Sequence, residues 1–174
     1  MLLFYTQRLS CKPLTLEDSD EYCALYSDAN VMRNIAAPCT RQQAEKNFNT
    51  CLTRNHQQPY TQLTWTICHK DTQQFIGIQG LIRRVIQPEQ AEVGIMLIQQ
   101  AFNQGIATEA IAALLQFSFT ELQLKCVFAH FHPTNKAVEI IARKLGFTIE
   151  DDVRQTQLGL TKYCFIEKKH LPTK

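Results

Sequence analysis

Hydrophobic and polar residues recur in two periods along this chain, and each change of period marks a new element. Residues 8–14 alternate apolar and polar up to Pro13 and predict a first strand. Thr15 followed by Asp18 has capping-box spacing, with Asp in place of the usual Glu or Gln, and predicts a helix running through Tyr22, Leu25 and Tyr26 to about Ser27. A short helical piece follows at Val31 and Met32. Thr40 then caps a helix over residues 41–53, with Ala44, Phe48, Cys51 and Leu52 along one side.

Beyond the polar loop 55–59 the period shortens from helix to strand. Residues 63–68 and 75–82 are rich in β-formers, flank a turn at 70–72 and read as a hairpin. The polar patch 87–90 leads into a third strand, 91–98. A helix from Gly105 to about Leu122 places Ala107, Ile111, Leu114, Leu115, Ser118 and Leu122 on a broad face, widened by Phe117 and Phe119, as burial against a sheet requires. Residues 127–131 form a strand. Thr134 or Asn135 caps a helix with the stripe Ala137, Ile140, Ile141 and Leu145, its wet side carrying the Glu139–Arg143 pair and its end marked by Gly146. Residues 147–149 and 163–166 are the final strands. The tally is β-rich in the middle, then β-α-β-α-β-β, with no repeat or linker; residues 1–174 read as one domain.

Bulk properties narrow the function. A chain of 174 residues, 45% hydrophobic and 20% charged, is long enough for one packed core. A formal net charge of +2 offers no footprint for nucleic acid. No run approaches membrane-spanning length, so a cytoplasmic protein with no membrane partner is expected. Seven dispersed cysteines without a C-x-x-C pair fit reduced, mostly buried thiols. The sequence leaves the oligomeric state open, a homodimer included.

The chemistry gathers at residues 99–110, where a strand passes through small residues into a helix start. Unpaired backbone N–H groups and the positive end of a helix dipole make such a turn an anion site, best suited to phosphate. His130 and His132 share a strand face, yet no Cys or acidic residue clusters with them in sequence, and no metal site is expected. Arg83, Arg84, Lys168 and Lys169 read as solvated charges, and Trp65 as core or pocket wall.

Five stretches together resemble the GNAT superfamily of N-acetyltransferases, in its branch of ribosomal-protein N-terminal acetyltransferases. They are Thr6, Arg8 and Leu9 with Leu14, Thr15 and Asp18; Ile76-Gly77; Glu92-Val93-Gly94; the turn from Gln104 through Gly105, Ile106, Ala107, Thr108 and Glu109 to Ala110; and Asn135 followed by Lys144-Leu145-Gly146-Phe147. The resemblance implies an α+β three-layer fold: a mixed, mostly antiparallel sheet with two splayed strands and helices on both faces. It also implies acetyl-CoA as co-substrate, with no metal. Pantetheine would lie along the backbone of Met96, Leu97 and Ile98, pyrophosphate on N–H groups of Gln104, Gly105, Ile106, Ala107 and Thr108, and Asn135 near the cofactor. Lys136, Arg143 or Lys144 would reach the adenosine 3′-phosphate. Phe102 stands where the branch has Trp, Asn103 where Gly is usual, and Val138 where some members carry a Ser near the cofactor sulfur.

Acetyl transfer needs a neutral amine. A lysine side chain, with pKa of about 10.4, is mostly protonated at neutrality, whereas an α-amine at about 7.7–8.0 is partly neutral already. Glu92, on one strand face with Gly94 and Met96, is the candidate base, directly or through water; its plainer role is hydrogen bonding at the splay. An N–H of Leu97 or Ile98 is the candidate for polarising the thioester oxygen, and Tyr163 for protonating the leaving thiolate, with core packing as its alternative. The acceptor is an amine, either a protein N-terminus or a small molecule such as a polyamine, amino acid or antibiotic. The competing class is a non-catalytic acyl-CoA-binding regulatory module.

Overall fold

The computed structural model describes residues 2–156 and 159–170. Strands β1 (Phe4–Tyr5) and β2 (Leu9–Pro13) open the chain, followed by α1 (Ser19–Ser27), α2 (Ala29–Met32) and α3 (Arg41–Asn55). Next come β3 (Gln62–His69), β4 (Phe75–Arg83), β5 (Gln90–Leu97) and α4 (Ile106–Thr120). The last elements are β6 (Cys126–Phe131), α5 (Lys136–Lys144), β7 (Thr148–Ile149), β8 (Arg154–Thr156) and β9 (Gly159–Glu167).

One sheet runs in the order β1-β2-β3-β4-β5-β6-β9-β7, with β8 pairing β9 beside it. Every neighbouring pair is antiparallel except β5 and β6. That parallel pair is also the shortest join in the middle of the sheet: Gln90, Ala91 and Glu92 face Cys126, Val127 and Phe128, and pairing stops there. Past Glu92, β5 keeps only β4 as a partner, while β6 keeps only β9. The expected mixed, mostly antiparallel sheet with two parting strands is what forms.

Helices cover both faces. Ile111, Leu114, Leu115 and Phe117 of α4, with Ala142 of α5, pack on Leu63, Trp65, Leu81, Ala91 and Val93. On the other face Tyr22, Leu25 and Phe48 of α1 and α3 pack on Ile78 and Met96. Burying each such large side chain contributes about 1.5–3 kcal/mol before conformational entropy is counted. Trp65 is fully buried and donates its indole N–H to the Leu2 carbonyl at 2.6 Å, which makes it core and not pocket wall.

Local chemistry explains where the elements start and stop. Asp18 accepts from the Thr15 N–H at 2.7 Å and hydroxyl at 2.8 Å, but these bonds frame a short 3-10 turn, and α1 proper starts only at Ser19. Thr40 caps α3 through a reciprocal exchange with Gln43. That helix runs past Thr53 to Asn55, whose amide clamps the backbone of Thr64 at 2.7 and 2.8 Å. At the end of α5, Gly146 has φ +80°, and the Phe147 and Gly146 N–H groups reach the Ala142 and Arg143 carbonyls, a Schellman closure.

Three expectations need correction. Strands β1 and β8 were not anticipated, because two or three residues are too few to show alternation; β9 likewise extends well beyond residues 163–166. The apolar stripe of α5 is turned. Val138, Ala142 and Leu145 pack on the core and Ile141 is half-buried, while Ala137 and Ile140 are exposed. Arg83 and Arg84 are not simply solvated: Arg83 donates to the Leu122 carbonyl at 3.2 Å, and the Arg84 guanidinium lies 4.2 Å above the Phe128 ring.

Candidate functional site

The turn after β5 is built by backbone conformations that few side chains tolerate. A 3-10 turn over Gln99–Ala101 leads to Asn103 at φ +60° and Gly105 at φ +75°, and α4 begins at Ile106. Both positive angles lie in the left-handed region, which Gly adopts freely and Asn tolerates. Gly105 occupies the N-cap position, so no side chain caps α4. Its first-turn N–H groups, at Ile106, Ala107 and Thr108, therefore point out of the helix as donors beside the positive dipole end. The donor set fits a phosphate.

The start of the chain braces this turn. Glu109, in the first turn of α4, accepts from Thr6 Oγ1 at 2.5 Å, the Arg8 N–H at 2.9 Å and Arg8 Nε at 2.7 Å. Arg8 Nη1 also donates to the Gln104 carbonyl at 3.1 Å. Burial alone would raise the Glu109 carboxyl, but the Thr6 and Arg8 bonds outweigh it and hold it below the ordinary carboxylate value. Thr6, Arg8 and Glu109 had been picked out as motif residues with no role attached. Their role is mutual, and a Thr-x-Arg start matched to a Glu in the helix turn was the available signal.

Strand alternation decides which backbone groups of β5 face the opening. Ile98 N–H donates to the Ile76 carbonyl at 2.9 Å, and Arg84 N–H to the Gln90 carbonyl at 3.1 Å. In this antiparallel ladder the even-numbered residues of β5 thus spend their backbone groups on β4, and the odd-numbered ones turn theirs towards β6. Since β6 has parted by then, Ile95 and Leu97 present N–H and C=O groups to an unpaired edge. Among Met96, Leu97 and Ile98, only Leu97 does so, which removes Ile98 as an oxyanion donor. Gly77 allows the close approach that sets this edge: a Cβ there would fall on the Met96 carbonyl oxygen and 2.9 Å from Leu97 Cα.

On the α1–α3 face, the crotch of the splay carries a bonded pair. His130 Nδ1 lies 2.9 Å from Glu92 Oε1. The imidazole meets the Phe128 ring edge-on, centroids 5.6 Å apart, and Tyr163 at 5.2 Å. Tyr163 in turn packs on Phe128 and Phe165, and burial raises its phenol above the ordinary value. Gly94 leaves open space where a Cβ would stand, on the same strand face as Glu92. From the sequence His130 and His132 read as a polar strand end, with metal binding as the other reading. In fact His132 Nδ1 bonds Thr134 at 2.7 Å, and the two rings serve different partners. The sign that could have found the pair is two polar residues at matching depth on parallel strands, Glu92 being level with Phe128.

The far wall is less clearly a site. Asn135 caps α5, its Oδ1 accepting the Val138 N–H at 3.3 Å. Val138 packs against the core. Lys136 and Arg143 are both paired with Glu139, at 3.0 and 2.9 Å, leaving Lys144 as the helix-end cation with no ion pair among the described residues. All seven cysteines are free; burial pushes the Cys11 and Cys164 thiols up to about 12, which leaves them poor nucleophiles. No described helix is long and apolar enough to cross a membrane.

Comparison with known proteins gives a family and a fold. The family model for the GNAT acetyltransferase domain matches residues 8–148. An uncharacterized N-acetyltransferase of Bacillus licheniformis, p20, is 28% identical over 156 residues, covering 88% of this chain and 86% of its own. Among solved structures, spermidine N-acetyltransferase from Vibrio cholerae, in complex with CoA and spermine, superposes with TM-score 0.81 at 19% identity, covering 94% of this chain and 98% of that one. RimL, a ribosomal L7/L12 α-N-protein acetyltransferase in complex with coenzyme A, gives TM-score 0.82 at 13% identity, covering 95% and 97%. At these identities the two structures speak for the fold alone.

Proposed function

The chain belongs to the GNAT acetyltransferase family, and from that membership we propose that it moves the acetyl group of acetyl-CoA onto an amine, with a singly charged α-amine such as a protein or peptide N-terminus as acceptor. The observation that carries this is the pairing of an uncapped, Gly-started helix with an unpaired strand edge at one end of the sheet. In open α/β sheets ligands bind beyond the carboxyl ends of parallel strands where these part, and β5 and β6 are the one parallel pair of this sheet among the described residues. The N–H groups of Gln104, Gly105, Ile106, Ala107 and Thr108 would hold the pyrophosphate, and Leu97, with Ile95, would pair with the pantetheine amides. Met96 lines that edge through its buried side chain, and Ile98 ends it. The amide N–H₂ of Asn135 and the ammonium of Lys144 remain as polar groups on the opposite wall.

Acetyl-CoA supplies the activated acyl carbon. The protein's own part is to orient the two reactants and to take up the proton that the amine loses. Glu92 is the carboxylate placed for that proton, directly or through the imidazole bonded to it. Tyr163, held as a neutral phenol, is the donor available for the thiolate; a thiol pKa of about 8.5 makes little help necessary.

The acceptor wall favours one amine over many. Around the splay it offers the Glu92 carboxylate, the aromatic rings of Phe128, Tyr163 and Phe165, and the Arg84 guanidinium, while the nearby Glu150 carboxylate is already paired with Arg154. A polyamine carries several positive charges and asks for several carboxylates, whereas Arg84 would repel it. Relatives acting on spermidine and on a ribosomal protein N-terminus both fit the fold, and the charge of this wall sides with the latter.

Thiol release from acetyl-CoA, measured over a panel of peptides, amino acids and polyamines, tests the assignment. Peptide N-termini should be the best acceptors. Tight acetyl-CoA binding without turnover on any amine would instead identify a regulatory acyl-CoA-binding module. Gly105→Val, which forces a β-branched residue to φ +75°, should weaken acetyl-CoA binding by at least tenfold; unchanged affinity places the pyrophosphate elsewhere.

A further inference from the structure

We propose that His130 is the proton acceptor of the transfer and Glu92 its positioning residue, an assignment that rests on the N-acetyltransferase function above. An ionised carboxylate only accepts hydrogen bonds, so the 2.9 Å contact from Glu92 Oε1 to Nδ1 puts the ring proton on Nδ1. The neutral ring then carries its lone pair on Nε2. That nitrogen has no partner among the described residues, and the side chain is 34% exposed.

The ring is fixed without being covered. Its backbone is paired to Tyr163 on β9, two residues beyond the last β5–β6 pair, so it stands on the wall of the opening. Phe128 and Tyr163 pack against it, and Glu92 holds its inner nitrogen. Charged and titratable groups around it include Glu92 from β5, Tyr163 from β9, Arg84 above Phe128 and His132 two residues on, bonded to Thr134, with Cys126 and Glu150, the latter paired with Arg154, acting on Tyr163. Glu92 already spends Oε1 on His130, whereas Nε2 of the ring is the nitrogen left facing the opening. An imidazole is also better matched than a carboxylate to proton transfer near neutral pH.

The step balances. The amine nitrogen bonds to the acyl carbon, the C–S bond breaks and CoA leaves as its thiolate. The proton lost by the nitrogen passes to Nε2, and the imidazolium, neutralised by Glu92, returns it to the thiolate or to solvent.

The test uses the full chain with the best acceptor of the panel. His130→Ala should lower kcat by about 100-fold or more and leave acetyl-CoA binding unchanged. Glu92→Gln keeps an acceptor for Nδ1–H and should retain more activity than Glu92→Ala. Nitrogen-15 spectra of the acetyl-CoA-free protein should show neutral His130 protonated on Nδ1, and that preference should be lost in Glu92→Ala. His130→Gln and the spectra of the unsubstituted protein decide the matter if His130→Ala fails to fold. A His130→Ala enzyme within threefold of the parent kcat, or a neutral ring protonated on Nε2, overturns this assignment alone. A parent protein that turns over no amine overturns the N-acetyltransferase function and His130's role with it.

Discussion

Glu109 shows how much one side chain can organise. It is anionic beside a helix N-terminus, where the dipole favours it, and it ties α4 to the segment Thr6–Arg8 through three hydrogen bonds. Because its folded value is depressed, the stability it contributes is present above the unfolded carboxylate value of about 4.3 and is lost as pH falls through the lower, folded one. Glu109→Gln should therefore cost about 1–2 kcal/mol at neutral pH, the partial exposure of Arg8 counted against a larger figure. In urea titrations the gap from the parent should narrow as pH falls below the ordinary carboxylate range. A gap that persists unchanged at pH 3 would mean that shape, and not charge, gives Glu109 its role.

At the scale of elements, the edge of β5 depends on Gly77 of β4. Gly77→Ala puts a methyl group onto the Met96 carbonyl and should cost about 1–3 kcal/mol in chemical denaturation, with acetyl-CoA affinity falling as Leu97 is displaced. Gly94→Ala on the facing strand meets nothing within 4 Å, and its stability should stay within about 0.5 kcal/mol of the parent. These elements were largely legible beforehand, since β3, β4 and α4 are long enough for period, caps and turn residues to agree. What escaped was short or paired at long range. β1 and β8 have too few residues for a period, and the face that α5 buries is decided by what it packs on. The Glu92–His130 bond joins residues 38 apart, a distance over which local pattern says nothing.

For the molecule as a whole, the controlling fact is that only three residue pairs join β5 to β6, within a sheet of nine strands among the described residues. The rest of the β5 edge is left for a ligand. Amide hydrogen exchange should reveal this directly: Ile95 and Leu97 should exchange faster than Gly94 and Met96 in the free protein, and slow markedly when acetyl-CoA is added. Equal protection at all four without ligand would mean that the two strands close in solution. The turn that we propose for the pyrophosphate was legible from its residues, because glycine and a helix start are local signals. The acceptor wall was not, because Glu92, His130, Tyr163 and Arg84 come from four stretches that only the sheet order brings together.

The brace between Arg8 and Glu109 also has a meaning in time. The two residues are 101 positions apart, so during synthesis the first strand emerges long before its partner exists. At roughly 5–20 residues per second, the interval is on the order of 5–20 s. Through that period Thr6 and Arg8 have no acid to hold, and the turn proposed for the pyrophosphate has not been made. The binding turn is thus a late product of the growing chain, finished only when its beginning is drawn back onto its middle.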